Sequence, residues 1–214
     1  MKTSTPLLVA LSLSACMPGK GQNLCSLATN TPISPYDVPI GQNATYGPSV
    51  AQSFMVNQQP LPAPTPTSSV LKNVTVALSR EGSFPFKTQT LQATIQLDAS
   101  GASATSPSAP SGTALLTSVT LDPGALSTRQ TPVTFTFQSG TGLRTNQIYW
   151  LVLTGSWPAS DTGNYVNWWG INNASQPYQF GSLSLPAKYM DTHSASYQNA
   201  DIGSNVFMFF NLGC

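Results

Sequence analysis

Tyr165-Val-Asn-Trp-Trp169 is the densest group of recognition-type side chains in the sequence, with Trp157 and Tyr178 close by. Sugar rings stack on the faces of Trp and Tyr, and Asn side chains both donate to and accept from hydroxyls. Asn164, Asn167, Asn172 and Asn173 supply that polar complement. The chemistry pointed to is glycan binding, with Tyr165, Asn167, Trp168 and Trp169 as the candidate residues. On a strand, Trp168 and Trp169 must face opposite sides of the sheet. One of them then belongs to a core and the other to a surface. The same aromatics also suit a purely structural part, as core filler at the corner of a sandwich.

Catalytic chemistry has less to work with. His193, the only histidine, lies in Asp191-Thr-His193. A Ser-His-Asp triad needs a nucleophile hydrogen-bonded to that imidazole, yet no Gly-x-Ser-x-Gly elbow accompanies it. Glu81 is the only glutamate, beside Arg80. A glycosidase needs two carboxylates flanking one bond, and nothing in the linear order brings two of the scattered acids together. Zinc requires clustered Cys and His, which are absent. Asp161-Thr-Gly-Asn164, or the region of Asp201, has oxygen ligands of the kind calcium takes, and equally the composition of ordinary turns. The expectation is a non-catalytic protein without cofactor or metal.

The N-terminus carries a different chemistry. Lys2, the apolar run Pro6-Leu-Leu-Val-Ala-Leu11 and the small residues of Leu13-Ser-Ala-Cys16 follow the order of an export signal. The run is far short of the ~20 apolar residues that span a bilayer. With a cysteine directly after the small residues, the tetrapeptide resembles the lipobox of bacterial lipoproteins. That resemblance implies a signal peptide over residues 1–15 and Cys16 as the lipidated first residue. One acyl chain anchors only marginally, at ~0.8 kcal/mol per buried methylene, whereas several anchor stably. Met17 is not Asp, which by the Gram-negative sorting rule implies the outer membrane. The membrane is thus an expected partner, through the lipid. Once Cys16 is lipidated, Cys25 and Cys214 remain of the 3 cysteines. An exported pair of this kind is expected to form a disulfide, worth roughly 5 kcal/mol for so large a loop in the chain-entropy account.

Composition excludes other classes. Only 7% of residues are charged, against about 25% in an average soluble domain. Loss of Lys2 with the leader leaves 7 of 8 cations against 7 anions, a net charge of zero. No basic stripe exists to replace counterions on phosphate, so nucleic acid is not a partner. The surface must instead be kept polar by Ser, Thr, Asn and Gln.

The elements that would position the aromatic group are strands. Val74-Thr-Val-Ala-Leu78, Leu91-Gln-Ala-Thr-Ile-Gln-Leu97 and Val133-Thr-Phe-Thr-Phe137 place apolar residues on every second position, the period of a half-buried strand. Ile148-Tyr-Trp-Leu-Val-Leu153 is apolar on both faces and reads as a central strand. Val206-Phe-Met-Phe-Phe210 reads as the last strand. Turn signals lie at Glu81-Gly82, Ser111-Gly112, Asp122-Pro-Gly124, Ser139-Gly140 and Asn172-Asn173. Ala99 to Pro110 reads as a mobile loop, and Pro60-Leu-Pro-Ala-Pro-Thr-Pro66 as a stiff polyproline-like one. No segment sustains helical periodicity. The fold class is therefore all-β, an antiparallel β-sandwich. Residues 16–50 read as a lipid-anchored tether and entry segment, and 51–214 as the sandwich.

From about residue 70 to 170 the order Pro110-Ser-Gly-Thr-Ala-Leu115, Val133-Thr-Phe-Thr-Phe137, Tyr149-Trp-Leu-Val-Leu153 and Tyr165-Val-Asn-Trp168 resembles the jelly-roll modules of choice-of-anchor type in exported bacterial surface proteins. The resemblance implies a jelly roll in the cell envelope and carries no catalytic residue. Two roles follow as expectations: a glycan-binding surface module, or a structural and adhesive one that packs against another envelope protein.

Overall fold

The computed structural model describes residues 35–41, 47–55, 69–82, 85–86, 88–101, 108–144, 147–172, 187–191, 196–199, 206–208 and 210–213. They form β1 (Pro35–Ile40), β2 (Ser49–Met55), β3 (Ser69–Glu81), β4 (Thr90–Asp98), β5 (Pro110–Thr117), β6 (Thr131–Leu143), β7 (Ile148–Ser156), β8 (Tyr165–Asn172), β9 (Ala187–Asp191), β10 (Ser196–Asn199), β11 (Val206–Met208) and β12 (Phe210–Gly213). The helical content of these residues is one 3₁₀ turn at Pro123–Ala125, capped by the Asp122 carboxylate. Cys16, Cys25, Cys214, His193, Asn173, Tyr178 and Asp201 lie outside the described residues, as does the 60–66 proline stretch.

All pairings are antiparallel, and the first eight strands fall into two sheets of order β1-β8-β3-β6 and β2-β7-β4-β5. That wrapped order, two interlocked Greek keys, is a jelly roll. The period-two residues of both sheets meet between them. Val38 and Ile40 from β1, Val74, Val76 and Leu78 from β3, and Val166 and Trp168 from β8 face Val50 and Phe54 from β2, Leu91, Ala93 and Ile95 from β4, and Tyr149, Leu151 and Leu153 from β7. Each aliphatic side chain buried this fully contributes about 1.5–3 kcal/mol. β7 is central as its sequence indicates. Its odd residues enter this core, while Trp150 and Val152 are buried with Ala51 in a separate cluster on the outer side of the sheet.

Three features differ from the linear reading. β1 lies within the expected entry segment, yet it pairs with β8 along its whole length and buries Val38 and Ile40, so the sandwich includes it. Ser111-Gly112 and Ser139-Gly140 make bulges inside strands instead of turns between them. Gly112 has φ +81° and its N–H donates to Gln96 Oε1 (2.8 Å) where the β4–β5 register shifts. Ser139-Gly140 lies in β6 where the β3–β6 register shifts between Leu71 and Asn73. Small residues tolerate the local kink of a bulge as readily as a turn.

The third difference is at the C-terminal end, where the expected last strand is two pieces running in opposite directions. β3 and β8 pair directly from Leu78 to Glu81 and then part. β11 fills one side of the fork, antiparallel to β8, and β12 fills the other, antiparallel to β3. Met208, Phe210 and Leu212 are buried, and the Met208 N–H reaches across to Gln52 Oε1 on the opposite sheet (2.9 Å). β9 and β10 extend the other sheet beyond β2.

Candidate functional site

β8 sorts the aromatic group by parity. Val166 and Trp168 point into the core, where Trp168 is 0% exposed. Trp168 therefore leaves the candidate glycan site, since no sugar reaches a ring that the opposite sheet covers. Tyr165, Asn167 and Trp169 share the outer face of the sheet. Flanking strands complete that face. Asp37 and Pro39 on β1 oppose Trp169 and Asn167, while Ser79 and Glu81 on β3 oppose Asn167 and Tyr165.

Side-chain hydrogen bonds hold the rings in place. Trp169 leans toward β3, its Nε1–H donating to Ser79 Oγ at 2.9 Å. Asn167 Nδ2 donates to Glu81 Oε2 at 3.2 Å. Asn167 is only 4% exposed, and its Oδ1 is buried with no hydrogen-bond partner. The Tyr165 phenol is hydrogen-bonded to Glu81, which, with burial and the charges of Glu81 and Asp37, raises its pKa. Asp37 is also raised. Burial is the main cause, its own backbone opposes the shift, and the Glu81 charge adds to it. Glycines let the chain come close here. A Cβ on Gly41 would sit 3.0 Å from Tyr165 Cβ, and one on Gly82, at φ +136°, only 2.0 Å from Asn164 Oδ1.

The chain matches no known protein family, no curated protein and no solved structure. What the face can do follows from its own chemistry: two half-buried rings, a buried amide with a free acceptor, and two carboxylates. Stacking, hydrogen bonding and attraction of positive charge are the interactions it offers.

Glu81 and Asp37 were not legible as members of this site. Only the β1–β8–β3 order brings together residues so distant in sequence, although the alternation of 37/39, 79/81 and 165/167/169 is the parity that would align them. Among the described residues, no cluster of three or more His, Cys, Asp or Glu has the spacing to hold a metal ion. The Asp161 carboxylate accepts from Asn164 N (3.1 Å), Asn164 Nδ2 (3.3 Å) and Gln89 Nε2, so Asp161–Asn164 is a turn closed on itself. Trp157 is a core residue, its ring packed over Gly155.

A second polar arrangement occupies the outer side of the other sheet. Asp98, 2% exposed, accepts from Ser100 N (2.9 Å) and Ser108 Oγ (2.6 Å) on Oδ1, and from Ser108 N and Trp150 Nε1 (both 2.8 Å) on Oδ2. Burial alone would raise this carboxyl. The donors from Ser108, Trp150 and Ser100 outweigh it and hold the pKa below its ordinary value. One carboxylate thus holds the two ends of the Ala99–Pro110 segment, at Ser100 and Ser108, and residues 102–107, which carry the expected mobile loop, lie outside the described residues. Four donors saturate Asp98 and leave it to structure.

Proposed function

We propose that this protein is a lipid-anchored, non-catalytic component of the bacterial cell envelope that binds glycan on the outer face of β8. Tyr165, Asn167 and Trp169 are the binding residues. The observation that carries this reading is that Tyr165 and Trp169 flank Asn167 on one outward face, with a desolvated Asn167 Oδ1 lacking a donor. A buried acceptor left unmade costs ~1–3 kcal/mol, and a sugar hydroxyl supplies the missing proton. By strand rise the two rings are roughly 13 Å apart, the reach of a short oligosaccharide and not of a single ring. Cys16 is the lipidation site in this reading, Cys25 and Cys214 form a disulfide, and the outer membrane is the destination.

A glycan array that includes cell-wall fragments tests the binding half, with wild type beside Trp169→Ala. Saccharide binding by wild type, lost in a variant that still unfolds cooperatively and melts within about 5 °C of wild type, supports it. Absence of any saccharide ligand overturns it in favour of a structural or adhesive role against another envelope protein. For the anchor, Cys16→Ser is expected to abolish incorporation of a labelled fatty acid and release the protein from outer-membrane fractions.

A further inference from the structure

Each ring of the proposed binding face has a carboxylate as its direct cross-strand partner. Trp169 is opposite Asp37 on β1, and Tyr165 is opposite Glu81 on β3. Directly opposed side chains have Cβ atoms about 5 Å apart, so the face carries two aromatic–carboxylate pairs in succession. A chain of 214 residues with only 7 acids places two of them here. Among the described residues neither forms an ion pair. Arg80, the neighbour of Glu81, is turned away, its Nε–H donating to the Leu126 carbonyl (2.7 Å) and its guanidinium 5.9 Å from the Phe86 ring centroid. Among the described residues, the titratable groups that face Asp37 are Glu81 from β3 and Tyr165 from β8, both acids. Between the two pairs lies the unpartnered Asn167 Oδ1. The face is rich in acceptors and negative charge, and these residues supply it with no cation.

Building on the glycan reading above, we propose that the ligand is an oligosaccharide whose hexosamine units carry free ammonium groups, seated at the two aromatic–carboxylate pairs. The C–H face of each unit lies on a ring while its ammonium meets the paired carboxylate in a charge-assisted hydrogen bond. The electron-rich face of Trp or Tyr adds to the attraction for a cation. Asn167 Oδ1 accepts from the intervening part of the ligand. A neutral glycan would satisfy the rings and Asn167 but bring no cation to either carboxylate.

The test uses the full-length protein in detergent and isothermal titration at a pH that keeps the amines protonated. The probes are glucosamine oligomers, N-acetylglucosamine oligomers of the same length, and oligolysine. The expected result is glucosamine binding about tenfold tighter than N-acetylglucosamine binding, the scale of two matched charges at partly exposed sites. Asp37→Asn and Glu81→Gln should each reduce the ratio of glucosamine to N-acetylglucosamine affinity. Asp37→Asn keeps the side-chain shape and breaks no ion pair, so it tests the charge without disturbing the fold. Equal binding of the two oligomers overturns the ammonium preference and leaves the glycan reading intact. Binding of neither overturns both. Oligolysine binding as tight as glucosamine overturns the sugar part and reduces the face to a cation site.

Discussion

Asp98 gives the sharpest test of how this sandwich is held together. Asp98→Ala removes a fully desolvated acceptor and strands the Trp150 indole N–H, at a cost of about 1–3 kcal/mol for a buried donor left unmade. The three bonds from Ser100 and Ser108 are charge-assisted, but water replaces them in part once the loop ends are released. A total near 3 kcal/mol is therefore expected. At ~2–4 °C per kcal/mol for a domain of this size, the melting temperature should fall by about 6–12 °C. The sign of the pH dependence follows from the carboxyl's depressed pKa in the fold. Its stabilisation is fully present above the unfolded value near 3.9 and disappears as pH falls through the lower folded value. Asp98→Asn should thus lie below wild type at neutral pH, with the gap closing only in strong acid. Urea unfolding followed by near-UV circular dichroism from neutral pH downward measures both effects. An Asp98→Ala variant within ~1 kcal/mol of wild type, or an Asn variant that keeps the full acid dependence, would refute the clamp.

Other perturbations separate core from surface. Trp168→Ala should destabilise by about 3–5 kcal/mol, as for a large core ring, and Trp169→Ala by about 1 kcal/mol; melting of the pair measures the contrast. Gly155→Ala places a Cβ 1.3 Å from the Trp157 ring, so it should cost about 3 kcal/mol or more and change the tryptophan emission spectrum. Asp37 is raised in the fold, so its ionisation opposes folding as pH climbs past the unfolded carboxyl value. Asp37→Asn should therefore raise stability at neutral pH, by less than about 1 kcal/mol because water screens a half-buried carboxylate, and leave it unchanged in acid. Thermal melts at the two pH values decide this.

Period-two alternation made β3, β4 and β6 legible, because one face of each meets a core and side-chain direction is local, while an unbroken apolar run marked β7, which is buried on both faces. Parity also required Trp168 and Trp169 to part company. What alternation lacks is strand order. The meeting of Asp37, Glu81 and Tyr165 depends on β8 lying between β1 and β3, a non-local choice made by the packing of two whole sheets. Ser139-Gly140 shows a second gap, since a small flexible pair suits a bulge and a turn equally well. Asp98 shows a third: a carboxylate next to a Ser-Gly-rich stretch has the sequence of a solvated turn, and only its four donors make it a buried anchor.

The forked joint between β3 and β8 also bears on how the chain is made. β11 and β12 come later in the sequence than both strands they fill between, so a chain emerging from a ribosome or translocon presents the gap before the segment that fills it. Until then the apolar slot around Leu78 and Val76 lies open beside two unpaired strand edges, and any extended peptide nearby is a competitor for it. Completion of this fold therefore waits on synthesis of β11 and β12, and a chaperone that shields the open slot would act before they emerge.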